Sequence, residues 1–281
     1  MSRPPAGERL HKLLARHGLG SRRQVEDWIR EGRVLVNGQP AGIGAQYEPG
    51  DKVVVDGRDV SRLLTREQRL RVIAYHKPSG EMLRRASGDD RDEVEANLPR
   101  LHGGRWIPVN SLGYGEDGLL VLTNDGSLAS AIARRGRELP VEYRVRALRP
   151  AGTLDWPEVP TEIEVEDQPV VFTAVERAGT EALNEWFRVA AERAVPRGAV
   201  RALFDAAGLK ISRVLLVRWG ALQLSRDLPR GRTRDIEGAE LESLLALAGR
   251  TAVKPERKAR TRGSAPKRRG GPRPGRRSAG R

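Results

Sequence analysis

Asn110-Ser111-Leu112-Gly113-Tyr114-Gly115-Glu116-Asp117-Gly118-Leu119-Leu120-Val121-Leu122-Thr123-Asn124-Asp125-Gly126 holds a glycine-rich segment, a short apolar run and a turn in close succession. Residues 119–123 form a short, unbroken apolar run bounded by turn residues, which predicts a buried strand rather than a helix. Asn124-Asp125-Gly126 closes that strand as a turn. Leu128, Ala131 and Ile132 then predict a short helix, with Asp125 as its turn and N-cap residue.

Outward from this stretch the pattern stays mixed. Residues 72–75 are a strand candidate ending at Lys77-Pro78. Val141, Tyr143 and Val145 alternate with Glu142, Arg144 and Arg146 as a half-buried strand, which turns Tyr143 inward. Further strands are expected at residues 170–175, 186–190 and 209–217. Val200, Leu203, Phe204 and Ala207 share helical spacing, with Gly208 as the stop, and residues 241–247 form a last amphipathic helix. Strands and helices in no regular alternation argue for an α+β domain with a mixed or antiparallel sheet over residues 71–250.

Residues 8–58 read as a separate small module. Leu10, Leu13 and Leu14 bury one face of a first helix, and Gly18 and Gly20 break it. Ser21 and Gln24 have the spacing of a capping box, opening a second helix whose Val25, Trp28 and Ile29 point inward and which ends at Gly32. Arg33 to Val36 is a short strand, and Asn37-Gly38 is a tight-hairpin signal. Residues 59–70, polar and Arg-rich, read as a linker.

The chain carries 51 Lys and Arg against 37 Asp and Glu, a net charge of +14. Residues 251–281 hold twelve basic residues and one acid, so the tail accounts for +11 and the body for only +3. Rich in Arg, Gly and Pro, the tail cannot form a core and is expected to be disordered. Its charge attracts polyanions without sequence specificity. Without cysteine, disulfides and thiolate metal sites are excluded. His11, His17, His76 and His102 show no metal-ligand spacing, so no metal is expected. No apolar run reaches the roughly 20 residues of a membrane span, and no secretory signal opens the chain, so a cytoplasmic protein with no membrane partner is the expectation.

The first module, with Ser21-Arg22-Arg23 at its second helix and Arg33-Val34-x-Val36-Asn37-Gly38 at its strand, resembles the αL RNA-binding domain of the ribosomal protein S-four type. Its candidate RNA contacts are Lys12, Arg16, Ser21, Arg22, Arg23 and Arg33. The second domain resembles the catalytic domain of the bacterial rRNA pseudouridine synthases that carry such a module in front. The matching segments are His76-Lys77-Pro78-Ser79-Gly80, the Gly118 to Gly126 run, Glu142-Tyr143-Arg144-Val145, Val200-Arg201-x-Leu203-Phe204 with Gly208-Leu209, Ser212-Arg213, and Gly231-Arg232-x-Arg234. The resemblance implies an RNA partner, rRNA in particular, no cofactor, and isomerisation of a uridine drawn out of its stack. It assigns the nucleophile to an Asp, proton transfer to a Tyr, here Tyr143, and site positioning to a basic residue. Lys77 also matches, and Arg134 and Arg135, with Arg137, are candidate phosphate contacts.

At one point the sequence departs from that pattern. Gly113 occupies the position of the Asp in the Gly-Arg-Leu-Asp motif, and Ser111 that of the Arg. Glycine can neither attack nor hold charge, so no nucleophile is assigned. Glu116 and Asp117 are the nearest substitutes, but an extended backbone would displace either by roughly 10 Å. Residues 194–199 keep one basic residue, Arg197, where the family has a basic run, and Leu216 stands where arginine is common. The sequence therefore predicts a monomeric RNA-binding protein on a uridine-isomerising scaffold, with catalysis impaired or absent. A non-catalytic ribosome-assembly factor is the alternative.

Overall fold

The computed structural model describes residues 7–66, 68–83, 94–101, 103–149, 155–180 and 184–250. The expected disorder of residues 251–281 and any role of His102 lie outside these. In the first module, α1 (Leu10–Arg16) and α2 (Arg22–Arg30) pack on a small sheet containing β1 (Val34–Val36) and β2 (Val53–Val55). Leu10, Leu13, Leu14, Val25, Ile29, Val34 and Val53 make its core, and each such buried chain contributes roughly 1.5–3 kcal/mol relative to exposure. The local signals are realised in atomic detail. Ser21 Oγ accepts the Gln24 N–H at 3.2 Å while Gln24 Oε1 accepts the Ser21 N–H at 2.9 Å. Asn37 and Gly38 both take positive φ, 52° and 83°, as a tight two-residue turn requires.

The stretch read as a bare linker is more structured than that. Residues 61–64 form α3 (Ser61–Leu64), and Val60 and Leu64 are buried in the first core. Two isolated apolar residues have no periodicity to betray them, which is why composition alone suggested a linker.

The second domain is built on β3 (Val72–Lys77), β4 (Asp117–Thr123), α4 (Gly126–Arg135), β5 (Val141–Leu148), β6 (Ala174–Thr180), β7 (Asn184–Ala191), α5 (Ala199–Ala206), β8 (Lys210–Trp219), β9 (Thr233–Asp235) and α6 (Gly238–Leu247). The strands join in the order β6-β7-β5-β8-β4-β3-β9, antiparallel except for β8 with β4. The sheet is mixed, in keeping with an α+β domain. All seven residues of β4 are buried, so the decisive run lies at the centre of the sheet. Gly118 is required there. Its φ is 121°, and a Cβ would lie 2.3 Å from Leu216 O on β8.

The two domains meet at a close backbone approach. A Cβ on Gly18 would lie 2.6 Å from Gly104 O, and Gln68 Nε2 donates to Arg16 O at 3.3 Å. His17 is buried at this seam, and burial, with the Arg16 charge beside it, lowers its pKa to about 4. Among the described residues no helix is long and apolar enough to cross a membrane.

Candidate functional site

A cleft of about 910 Å³ opens on one face of the sheet, walled by Gly113, Tyr143, Arg137, Arg197, Leu216 and Trp219 among others. Tyr143 reaches it because β5 alternates strictly. Val141, Tyr143, Val145 and Ala147 face inward, while Glu142, Arg144 and Arg146 face the other way. Burial raises the Tyr143 pKa, and the nearby Glu116 charge adds to the shift, so the phenol stays protonated at neutral pH. No Asp or Glu side chain lines the cleft among the described residues.

The loop of residues 113–116 departs from the extended course expected of it. Glu116 N–H donates to Gly113 O at 3.2 Å, closing a turn, and Glu116 Oε2 accepts the Gly113 N–H at 2.6 Å. A Cβ built on Gly113 would lie 3.3 Å from that oxygen. The displacement of roughly 10 Å inferred from strand geometry is therefore wrong for Glu116, since the extended backbone begins only at Asp117. The carboxylate lies beside the position where an acid was expected, but it is not among the residues that line the cleft.

Asp117 goes the opposite way. It is 1% exposed and points to the other face of the sheet, 2.7 Å from Arg213, 2.9 Å from Arg230 and 3.2 Å from His76 Nε2. It is a buried charge held by cations, and it does not reach the cleft. Asp125 caps α4 as expected, accepting from the Ser127 and Leu128 N–H groups. Burial pushes its pKa up, but those bonds and the Arg250 guanidinium outweigh it and hold the carboxyl at about 2.

Lys77, expected to meet RNA, has no exposed surface. Its Nζ donates to Pro78 O, Gly113 O and Glu116 O at 3.0, 3.1 and 2.9 Å. Burial lowers its pKa, against the pull of Glu81, Asp117 and Glu116. The lysine positions the 113–116 loop from below and cannot touch a ligand. Arg197 is a contact the sequence did not disclose. Its Nε and Nη2 both donate to Ser111 Oγ, at 3.1 and 2.7 Å. A guanidinium thus stands over the residue that occupies the family's arginine position, delivered from 86 positions away.

Lys12, Arg16 and Arg22 share a small cavity with Arg105 at the domain seam, facing the start of α4. Arg16 is partly committed to Glu8, at 2.9 Å, and Lys12 lies 4.0 Å from the same carboxylate. Arg23 is exposed on α2, and the Ser21 side chain is taken up by its cap. Arg33 lies apart from this group. It is bound to Asp56 at 2.6 Å and Glu31 at 2.9 Å and stacked over Trp28, and the two carboxylates raise its pKa. Arg134 is exposed at the end of α4. Arg135 donates to Leu247 O at 2.8 Å, closing the end of α6. The described residues hold no group of three metal-ligating side chains.

Comparison with known proteins bears on both domains. Residues 8–53 match the S4 domain family, and residues 71–234 match the RNA pseudouridylate synthase family. The ribosomal large subunit pseudouridine synthase B of Escherichia coli (strain K12) is 37% identical over 252 residues, covering 88% of this chain and 86% of that protein. That of Salmonella typhi is 38% identical over 242 residues, covering 85% and 83%.

Proposed function

This chain belongs to the RNA pseudouridylate synthase family, and from that premise we propose that it binds structured rRNA and admits a uridine to the Tyr143 cleft, but isomerises it poorly or not at all. The observation that carries this reading is the missing acid: Gly113 lines the cleft and no carboxylate does, among the described residues. Every family mechanism of this kind needs an anion at the reacting centre, and misplacement by about 1 Å can already cost some 10²-fold in rate. Lys12, Arg16, Arg22 and Arg23 on the first domain, with the basic tail, supply the electrostatic grip on phosphate. Arg134 extends that grip beside the cleft, while Arg137 and Arg197 inside it suit the phosphates that flank an extruded nucleotide. The chain acts as a monomer in the cytoplasm, without cofactor or metal. In the stricter form of this reading the protein is a ribosome-assembly factor that keeps the docking surface and has dispensed with the chemistry.

One observation favours a second reading. The Glu116 carboxylate lies 3.4 Å, at its carbon, from where a Cβ on residue 113 would stand. Rotation of that side chain away from the Gly113 N–H would bring an acid to the cleft wall. Incubation of the purified protein with large-subunit rRNA, followed by single-nucleotide mapping of pseudouridine, separates the two. Salt-sensitive binding without new pseudouridine supports the first reading. New pseudouridine that disappears in Glu116→Gln supports the second and ends the first. Absence of rRNA binding would defeat both.

A further inference from the structure

The strand alternation that turns Tyr143 into the cleft turns Glu142, Arg144 and Arg146 onto the opposite face of the sheet. A second groove, of about 440 Å³, runs there between β5, β7 and β8 and the residues that follow β8. Four guanidinium groups line it, those of Arg144, Arg188, Arg218 and Arg226, against a single carboxylate, Glu142. Glu142 is already shared by Arg188 at 3.1 Å and Arg218 at 3.8 Å. No carboxylate among the described residues pairs with Arg144 or Arg226.

The register sets two of these cations side by side. Arg144 lies directly across from Arg188 on β7, and Arg188 is offset by Glu142 at 3.1 Å and by Glu176 at 3.2 Å, which leaves Arg144 as the cation of that pair with no carboxylate among the described residues. Like charges at directly opposed positions destabilise a sheet. The body of the chain has a net charge of only +3, so four arginines facing Glu142, with Glu176 as a second partner of Arg188, are a local concentration of charge and not a reflection of the average. The floor between the arginines is apolar, formed by Leu215, Val217, Leu224 and Leu228. Fixed guanidinium forks above an apolar floor suit a strand whose phosphates take the cations while its sugars lie on the aliphatic surface.

We propose that this far-face groove is a second RNA-binding surface, which grips the phosphodiester backbone of the same structured RNA at a segment remote from the uridine in the cleft. It rests on the reading of the chain as an rRNA-binding protein, and it adds a surface on the side of the sheet that the Tyr143 cleft does not use.

The test compares the full chain with the double variant Arg144→Glu/Arg226→Glu, both residues being outside the cleft and, among the described residues, without a carboxylate partner. Equilibrium binding to an rRNA transcript is measured across a salt series. The expected result is at least a tenfold loss of affinity at 0.1 M salt. The slope of log affinity on log salt should flatten by about 1.4 to 1.8, the value for two phosphate contacts. Thermal unfolding should show stability unchanged or raised, because a like-charge pair has been relieved. Hydrogen exchange should show RNA-induced protection of residues 222–228, lost in the variant. Inorganic phosphate should compete no better than its ionic strength predicts; specific displacement by it would identify a free-anion site and overturn the RNA assignment. Wild-type binding with an unchanged slope in the variant overturns the groove alone. Failure of the wild type to bind rRNA overturns the groove together with the function proposed above.

Discussion

Replacing Gly113 by aspartate supplies the carboxyl group the cleft lacks, but sets it against one already present. The backbone at residue 113 is not in the left-handed region, so the side chain enters without main-chain strain. Its Cβ, however, falls 3.3 Å from Glu116 Oε2. Two carboxylates in that arrangement have their charges about 4 Å apart. At an effective dielectric of about 20 the repulsion is about 4 kcal/mol, or roughly three pKa units. The loop is half-buried beside an open cleft, and solvent screening reduces this to one or two units. The new carboxyl should therefore titrate near pH 5 to 6 instead of about 3.9. A carboxyl whose pKa is raised on folding binds more protons in the native state, so stability falls as pH rises through that window. Gly113→Asp should be about 1.4–2.7 kcal/mol less stable at pH 7 than at pH 4, relative to the parent chain. In Gly113→Asp/Glu116→Gln the amide oxygen can still accept the backbone N–H of residue 113, the repulsion is gone, and the penalty should vanish. Carboxyl 13C NMR titration of the two variants, with urea unfolding at both pH values, measures this directly. The double variant should also be the better enzyme wherever activity is regained, with its acid limb at lower pH. If the introduced carboxyl titrates below pH 4 with Glu116 intact, the reasoning is refuted, because the two acids would then not share the site.

Three further outcomes follow from the same geometry. Ser21→Ala removes the acceptor for the Gln24 N–H and should cost about 1 kcal/mol in chemical denaturation. Burial lowers the His17 pKa in the fold to about 4 from an ordinary 6.5, so the unfolded chain binds the proton first. Stability should fall by about 2–3 kcal/mol as pH drops from 6.5 towards 4, and His17→Gln should remove most of that dependence in paired denaturation curves. Lys77→Met leaves three carbonyl oxygens without their buried donor; a loss of about 3 kcal/mol or more is expected, with faster hydrogen exchange in residues 113–116. An unchanged midpoint would mean that water replaces the ammonium.

The sequence alone determined the features that are settled within a few residues. The Ser21–Gln24 capping box, the Asn37-Gly38 turn, the Asp125 cap and the alternation that aims Tyr143 inward all follow from chemistry that repeats over two to four positions. The order of motifs around the Gly118 to Gly126 run likewise disclosed the family and exposed Gly113 as its departure. Tertiary structure decided what depends on contacts between distant segments. Only the folded loop shows Glu116 turning back on Gly113 and Asp117 turning away, because a single turn reverses a displacement that counting along an extended chain makes large. Arg197 over Ser111, Leu64 in the first core and Lys77 sealed beneath its loop bring together groups from different elements, and no local periodicity records them. The far-face groove is of the same kind: Arg144, Arg188 and Arg218 lie on three different strands, set side by side only by the register of β5 with β7 and β8, and Arg226 joins them from the turn beyond β8.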